Sequence, residues 1–537
     1  MGYTNLINKF LTADLVIVGG GLAGLSSVLF TDLLFNDELK ERTSVVLISK
    51  SSLGFATSTY YSEGVFRCPV NGYSREAYLR DVLESGRYVN RRPLVNALVS
   101  ESLESVLLLE KVGIKFKSSK GFLRVVSDDL IFPGKELVLA LRSYVLSKKN
   151  VKILENTYVL DVILGSNGSF YVICLSGNGD WILINSKVVL LATGGAANVY
   201  IRSDNPSQHT CDGHGIALRL GLPLIDMEFI QFFPLGIAVE GRPSLMIGFT
   251  KGKLVNGRGE DLIKKYGLDS LGRAVVYHRD KLSRYMMKEV NDGNDVNGAL
   301  LLYPDLQEDR LSSGYVLMRR LNLSPPIKVL PTAHFSMGGV EVDEHCRTAI
   351  KGFYAVGELM GGVHGANRLG GNALTACVVF AKKAVEDIKN YIEKEFKDSV
   401  GRQVDTEVLR NVIERYNVRE GPYDAGNLRN EIRSIMWSKV GVIRSAQTIS
   451  ESINELSNIL ENLHKIRIVT RHDVVKYVEV ENTLLTSLAI AHASLTRTES
   501  RGSHYRVDYP NEDPNWIKNI IIKYNNGRYT INVEQVK

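Results

Sequence analysis

The apolar positions of this chain fall into two rhythms, and their order predicts its elements. From Leu15 to Val18 every residue is apolar, the pattern of a strand covered on both faces in a parallel sheet. Glycines at 19–21 follow, then apolar residues at helical spacing over 22–34, then the apolar run Val45 to Ile48. Strand, glycine turn, helix and strand form the βαβ opening of an α/β fold. Residues 51–72 are rich in Ser, Thr, Gly and Tyr and predict a loop, and 75–113 carry a long helical period. Between 151 and 189 lie the runs KILEN, YVLDVILG, SFYVICLS, WILIN and VVLLAT. The turn triplets Ser166-Asn167-Gly168 and Gly177-Asn178-Gly179 separate them as hairpin signals.

From about 234 to 331 the pattern changes, which predicts an inserted domain. Residues 352–356 return to a buried-strand pattern, followed by glycines and a helix from about 373. One domain is therefore expected to be split by another. From about 404 the period is helical, with helices expected over 407–416, 427–440 and 449–462. Residues 516–536 are amphipathic and predict a terminal strand.

Length changes this picture little: 537 residues exceed one hydrophobic core, and two to four domains are expected. The net charge of +6 is spread without a basic block, so nucleic acid is not expected as a partner. The five cysteines are scattered and form no CxxC, which argues against a disulfide framework and against a metal or iron-sulfur centre on this chain. A reducing, cytoplasmic setting fits. The N-terminus has no secretory layout, and no apolar run is long enough to span a bilayer. A membrane link is expected only at the periphery, through a partner.

The candidate chemistry begins at Gly19-Gly20-Gly21-Leu22-Ala23-Gly24, a GxGxxG after a strand and opening a helix. There the first glycine allows a tight turn, the second a close approach to phosphate, and the third close packing of helix on strand. The acid that NAD sites place at the end of the second strand is absent, since Ile48 is followed by Ser49 and Lys50. Two further strand ends carry glycines: VVLLATGG over 188–195, and Ala355-Val356-Gly357-Glu358, which leads into HGANRLGGNAL. A cofactor built of two nucleotides needs several such segments to converge on it.

With these motifs the chain resembles the flavoprotein subunits of succinate dehydrogenase and fumarate reductase, together with L-aspartate oxidase. The matching segments include VIVGGGLAGL (16–25), STYYSEG (58–64), LLATGGAANVY (190–200), CDGHGIALRLGLPLIDMEFIQFFP (211–234), TAHFSMGGVEVD (332–343) and AVGELMGGVHGANRLGGNALTACVVFA (355–381). LRNEIRSIMWSKVGVIR (428–444) and ESRGSHYRVDYPNEDPNW (499–516) extend the likeness to the C-terminus. The resemblance implies a Rossmann-type FAD-binding domain (1–234 and 332–395), an α+β capping domain (235–331) and a C-terminal helical domain (396–537). It implies FAD contacts at Gly19, Gly21, Ala23, Gly24, Ser49, Lys50, Thr57, Ser58, Gly64, Ala192, Thr193, Gly194, Asp212, Glu358, Asn372, Ala373 and Leu374. Asp212 and Glu358 are the expected acceptors for FAD hydroxyls. Ser58 stands where respiratory members attach FAD through a histidine, so non-covalent FAD is expected.

The family's chemistry is hydride transfer between flavin N5 and a small dicarboxylate, an anionic substrate, with electrons passing to an iron-sulfur partner subunit in some members. His334 and Arg368 match the residues that hold substrate carboxylate. Three places depart from the family. Phe233 replaces the histidine of QFHP, Gly248 takes the place of the expected shuttle arginine, and Ser244 and Leu245 replace a Thr-Glu pair. Arg242, Thr250 and Lys251 are the nearby residues that could stand in. The alternatives left open are an L-aspartate oxidase making iminoaspartate for NAD synthesis, a member with a changed and less anionic substrate, and an electron-relay subunit.

Overall fold

The computed structural model describes residues 7–307, 312–395 and 413–537. Its largest sheet is built around the strand Lys9–Val18, which pairs in parallel with Val45–Ile48 on one side and with Trp181–Leu191 on the other. Burial on both faces explains the unbroken apolar run: Leu15, Val16 and Ile17 are fully enclosed. Val151–Leu154 extends the sheet beyond Val45–Ile48, and Phe353–Ala355 joins in parallel beside the end of Trp181–Leu191. The strands Thr157–Leu164, Phe170–Ser176 and Trp181–Leu191 form the expected antiparallel meander. Gly168 and Gly179 take the left-handed conformation at its turns.

The runs WILIN and VVLLAT are one strand, Trp181–Leu191, rather than two. The polar residues between them stay inside because each has a partner: Ser186 donates to the Val188 carbonyl, and Lys187 pairs with Asp14 at 2.9 Å. The long helical period is in turn broken into Arg75–Ser85 and Arg92–Leu107. Arg87 and Tyr88 adopt positive φ at the break, and a proline opens the second helix.

Within the expected insertion, a second sheet runs in the order Ile230–Ile237, Ile327–Ser336, Leu300–Pro304, Gly252–Val255. The helices Leu271–Tyr277, Arg279–Asn291 and Ser313–Arg320 accompany it. It has its own apolar core, including Phe233, Leu235, Ile247, Phe249 and Leu302. Ile230–Ile237 and Ile327–Ser336 are the strands by which the chain enters and leaves it. The predicted helix over 407–416 falls largely outside the described residues, whereas Ala425–Lys439, Ala446–Glu461 and Arg471–Thr496 form a helical layer. The chain ends in a hairpin, Lys518–Asn525 and Arg528–Gln535, where one strand was predicted. The hairpin docks on the short strand Leu224–Ile225. None of the described helices is long and apolar enough to cross a membrane.

Candidate active site

The strand ends of the large sheet and the inner wall of the second sheet enclose one elongated cavity of about 700 Å³. At its sheet end the chain leaves Val18 through Gly19, at φ +126°, where a Cβ would come within 2.1 Å of the Ala192 carbonyl oxygen. A Cβ on Gly24 would meet the Gly19 carbonyl at 1.9 Å, so this glycine lets the helix Leu22–Leu34 lie on the strand. Gly21 instead borders the cavity. That helix starts without a side-chain cap and without an acid in its first turn. Of its first amides, that of Leu22 is satisfied by Thr59 Oγ1 at 3.0 Å. The helix N-terminus is therefore a ready cradle for a pyrophosphate.

A second observation tests the fit of a large polar cofactor. The buried atoms Ser58 Oγ, Thr193 Oγ1, His209 Nδ1 and Arg368 Nε have no hydrogen-bond partner, and all four residues line the cavity. Buried polar groups in native proteins are nearly always paired, so these are set for a ligand. The donors and acceptors are those FAD needs along its length, and the residues fit it.

Beside Ser49, Lys50 is half-buried between Asp212 at 3.1 Å and Glu479 at 2.7 Å. Burial pushes the Asp212 carboxyl up, but the Lys50 ammonium and the donors Thr210 and Asn482 outweigh it and hold it below the usual range. Burial also depresses the Lys50 ammonium, and the two carboxylates more than restore it. Glu479 comes from the helix Arg471–Thr496, so the C-terminal layer contributes directly to the cofactor end. Glu358 accepts from the Ser336 amide at 3.0 Å, and burial raises its carboxyl to about 7.

Further along, His334 Nδ1 lies 2.7 Å from Asp204 Oδ2, which leaves Nε2 for a ligand. Arg368 is buried, lies over the Phe335 ring at 4.5 Å, and donates to Gln231 Oε1 at 2.9 Å. Burial first, then the nearby positive Arg279, lowers its guanidinium to about 9. Arg279 opens the helix Arg279–Asn291 and donates to the same Gln231 oxygen at 3.4 Å. Its guanidinium too is held below the ordinary range, by desolvation. Phe233 closes this region, with its ring centroid 5.9 Å from that of His334 and 5.9 Å from Arg279 Cζ.

All the expected site residues line this cavity except Gly24, Gly64 and Asn372. Gly64 is a left-handed turn pressed between Pro133 and Val125, and Asn372 accepts a hydrogen bond from Tyr78 at 2.9 Å. Of the three residues expected to stand in near Gly248, Thr250 reaches the cavity, while Arg242 and Lys251 are exposed and off its wall. Arg279, Gln231, His209 and Glu479 are the site residues that sequence reasoning missed. The helical spacing of Val475 to Val478 and Glu479 was the one periodic signal for the last of these.

The fold and the cavity define a flavin-dependent oxidoreductase. Residues 14–374 match the FAD binding domain family and residues 429–537 the fumarate reductase flavoprotein C-terminal family. The chain belongs to the succinate dehydrogenase and fumarate reductase flavoprotein family, and FAD is its cofactor. It is 30% identical to an uncharacterized FAD-dependent oxidoreductase of Methanocaldococcus jannaschii, over 95% of this chain and 96% of that protein. One subunit of the CoM/CoB fumarate reductase of Methanothermobacter marburgensis is 29% identical, with the same coverage of each. An L-aspartate oxidase of Synechocystis is 27% identical, over 95% of this chain and 97% of its own. Among solved structures, a mutant FrdA of E. coli quinol fumarate reductase superposes with a TM-score of 0.86 at 27% identity, covering 98% of this chain and 97% of that one.

Proposed function

We propose that this oxidoreductase exchanges a hydride with a carbon near a carboxylate group, that Arg368 and His334 hold the carboxylate, and that Arg279 moves the proton. The observation that carries this reading is the pair of desolvated guanidiniums on one oxygen. Arg279 and Arg368 both donate to Gln231 Oε1, and neither forms an ion pair with a described residue. Two desolvated cations side by side without a paired counter-charge call for an anionic ligand. The relatives' names agree with this, since fumarate and L-aspartate both carry a carboxylate beside the reacting carbon.

When bound, FAD supplies reversible transfer of two electrons as hydride. The planar fork of Arg368 grips and orients the carboxylate. In the reducing direction a C–H bond forms at the carbon β to that carboxylate. The electron pair of the double bond moves to the α carbon, which takes a proton from Arg279. Desolvation of Arg279 makes its proton easier to give. The exposed Glu63, which also borders the cavity, restores it from solvent. Ser58 offers no ring nitrogen for a flavin bond, and FAD is held by non-covalent contacts.

The test is anaerobic. Holoenzyme with reduced flavin is mixed with fumarate, 2-butenoate or cinnamate, and the visible spectrum is followed. At least one acid should restore the oxidised spectrum, and Arg279→Gln should slow this by about 10² to 10⁴. If no acid reoxidises the flavin and none of the saturated counterparts reduces it, the reading fails. A second reading, L-aspartate oxidation, is favoured by the full-length likeness to the Synechocystis protein. It predicts hydrogen peroxide from L-aspartate in air. Copurification with an iron-sulfur subunit would instead identify the electron route of the respiratory members.

A further inference from the structure

Resting on the carboxylate-docking reading above, we infer that Gln231 is a positioning residue of that site: its neutral amide aims Arg279 and Arg368 and leaves both of their charges to the substrate. Gln231 is buried behind the two arginines, which border the cavity while it does not. The pairing of the strands puts it there. Gln231 is in register with Phe335, and Phe232 with Ala333, so His334 is an extra residue bulged out of the strand Ile327–Ser336. Phe335 carries the Arg368 guanidinium over its ring at 4.5 Å, and its strand partner Gln231 is thereby brought within reach of the same guanidinium.

Both ends of the amide are used. Its oxygen accepts from Arg368 Nη2 at 2.9 Å and from Arg279 Nη1 at 3.4 Å. Its nitrogen donates to Asn367 Oδ1 at 2.7 Å and to the Arg368 carbonyl at 3.1 Å. Cationic donors at one end and acceptors at the other fix which way the amide points. Gln231 thus grips the backbone and the side chain of Arg368 together. One donor of that guanidinium is taken, and Nε, buried and without a partner in the protein, is left for the anion. Arg279 is held between Gln231 and the Val276 carbonyl, which its Nη2 reaches at 3.3 Å. A carboxylate at 231 would pair with the guanidiniums and cancel the charge that draws the substrate. A hydrocarbon there would leave both donors facing an apolar group. The amide does neither. The other charged or titratable groups around the two arginines are Glu358, Asp204 with its partner His334, His364, Glu63 and Asp280, and a change at 231 leaves all of them in place.

The experiment is calorimetric titration of the oxidised holoenzyme with butanoate over about pH 6.5 to 10.5, for the wild type, Gln231→Glu and Gln231→Leu, with retained flavin absorbance as the check on folding. Gln231→Glu should weaken butanoate by at least about tenfold near neutral pH. It should also move the pH at which affinity falls upward, because a neighbouring carboxylate favours the charged guanidinium. Gln231→Leu should weaken butanoate by about tenfold and move that pH downward, because the charged guanidinium loses its acceptor. A residue that only fills space would not move the two variants in opposite directions. Shifts in the same direction, no shift in either, or an affinity within about threefold of wild type in Gln231→Glu overturns the inference while leaving carboxylate docking intact. If Gln231→Leu does not hold its flavin, the direction of the shift in Gln231→Glu decides alone. Docking itself is read separately, by Arg368→Gln, which should weaken butanoate in the otherwise unchanged protein. If the wild type binds no butanoate at any pH, that reading fails and takes this one with it.

Discussion

Raising the pH should switch off carboxylate binding through Arg368 rather than through the ligand. The free guanidinium is lowered to about 9, first by burial and then by Arg279. Only its protonated form attracts the carboxylate. Affinity should therefore be flat to about pH 8, bend near 9, and fall about tenfold for each further unit. Arg279 and Arg368 share one oxygen, at 3.4 and 2.9 Å. Their guanidiniums thus lie within about 6 Å of each other, and at an effective dielectric of about 20 the repulsion is about 3 kcal/mol, or about 2 pK units. Arg279→Gln removes that repulsion and should raise the midpoint from about 9 toward about 11. The assay is calorimetry of the oxidised holoenzyme with butanoate from pH 6.5 to 10.5, with retained flavin absorbance as the check on integrity. An affinity that does not fall by pH 10.5 refutes the reasoning, as does a midpoint that Arg279→Gln leaves in place.

Lys50→Met leaves the half-buried Asp212 and Glu479 without their shared cation, and should cost up to about 3 kcal/mol. Thermal melting of the holoprotein would report it, and an unchanged Tm would count against the assignment. Gly24→Val drives a side chain into the Gly19 carbonyl, so the purified protein should be colourless or insoluble, and a normal flavin-to-protein ratio would contradict this. Acid precipitation should leave all the yellow colour in the supernatant, because Ser58 offers no ring nitrogen for a flavin bond, and colour in the pellet would disprove non-covalent FAD. Ser58→Ala removes a buried hydroxyl that has no partner in the protein, and should weaken FAD by about 1 to 2 kcal/mol in equilibrium dialysis.

The first βαβ unit and its glycine loop were legible because every signal for them is local: an apolar run, a turn and a helical period within about thirty residues. The later strand ends at Ala192 and Glu358 were legible for the same reason. What was not legible depends on contacts across the chain. Lys187 reads as a strand breaker until Asp14, far off in sequence, neutralises it. Arg279 reads as a surface cation of YHRDK, and only the packing of its helix against Ile230–Ile237 brings it to the cavity. The substitutions at Phe233 and Gly248 were visible at once. Arg279, on a different element, borders the same space, and spacing along the chain did not place it there.

The ion pair between Lys50 and Glu479 has a consequence for how the protein is made. Lys50 leaves the ribosome early, while Glu479 and Asn482, which help to fix Lys50 and Asp212, follow more than four hundred residues later. A nascent chain that has passed Asp212 still displays a lysine and an aspartate without their final partners. The flavin pocket is complete only when the helix that carries Glu479 has been made. A chain that stops short of residue 479 therefore lacks the Lys50–Glu479 pair at the cofactor end of the cavity.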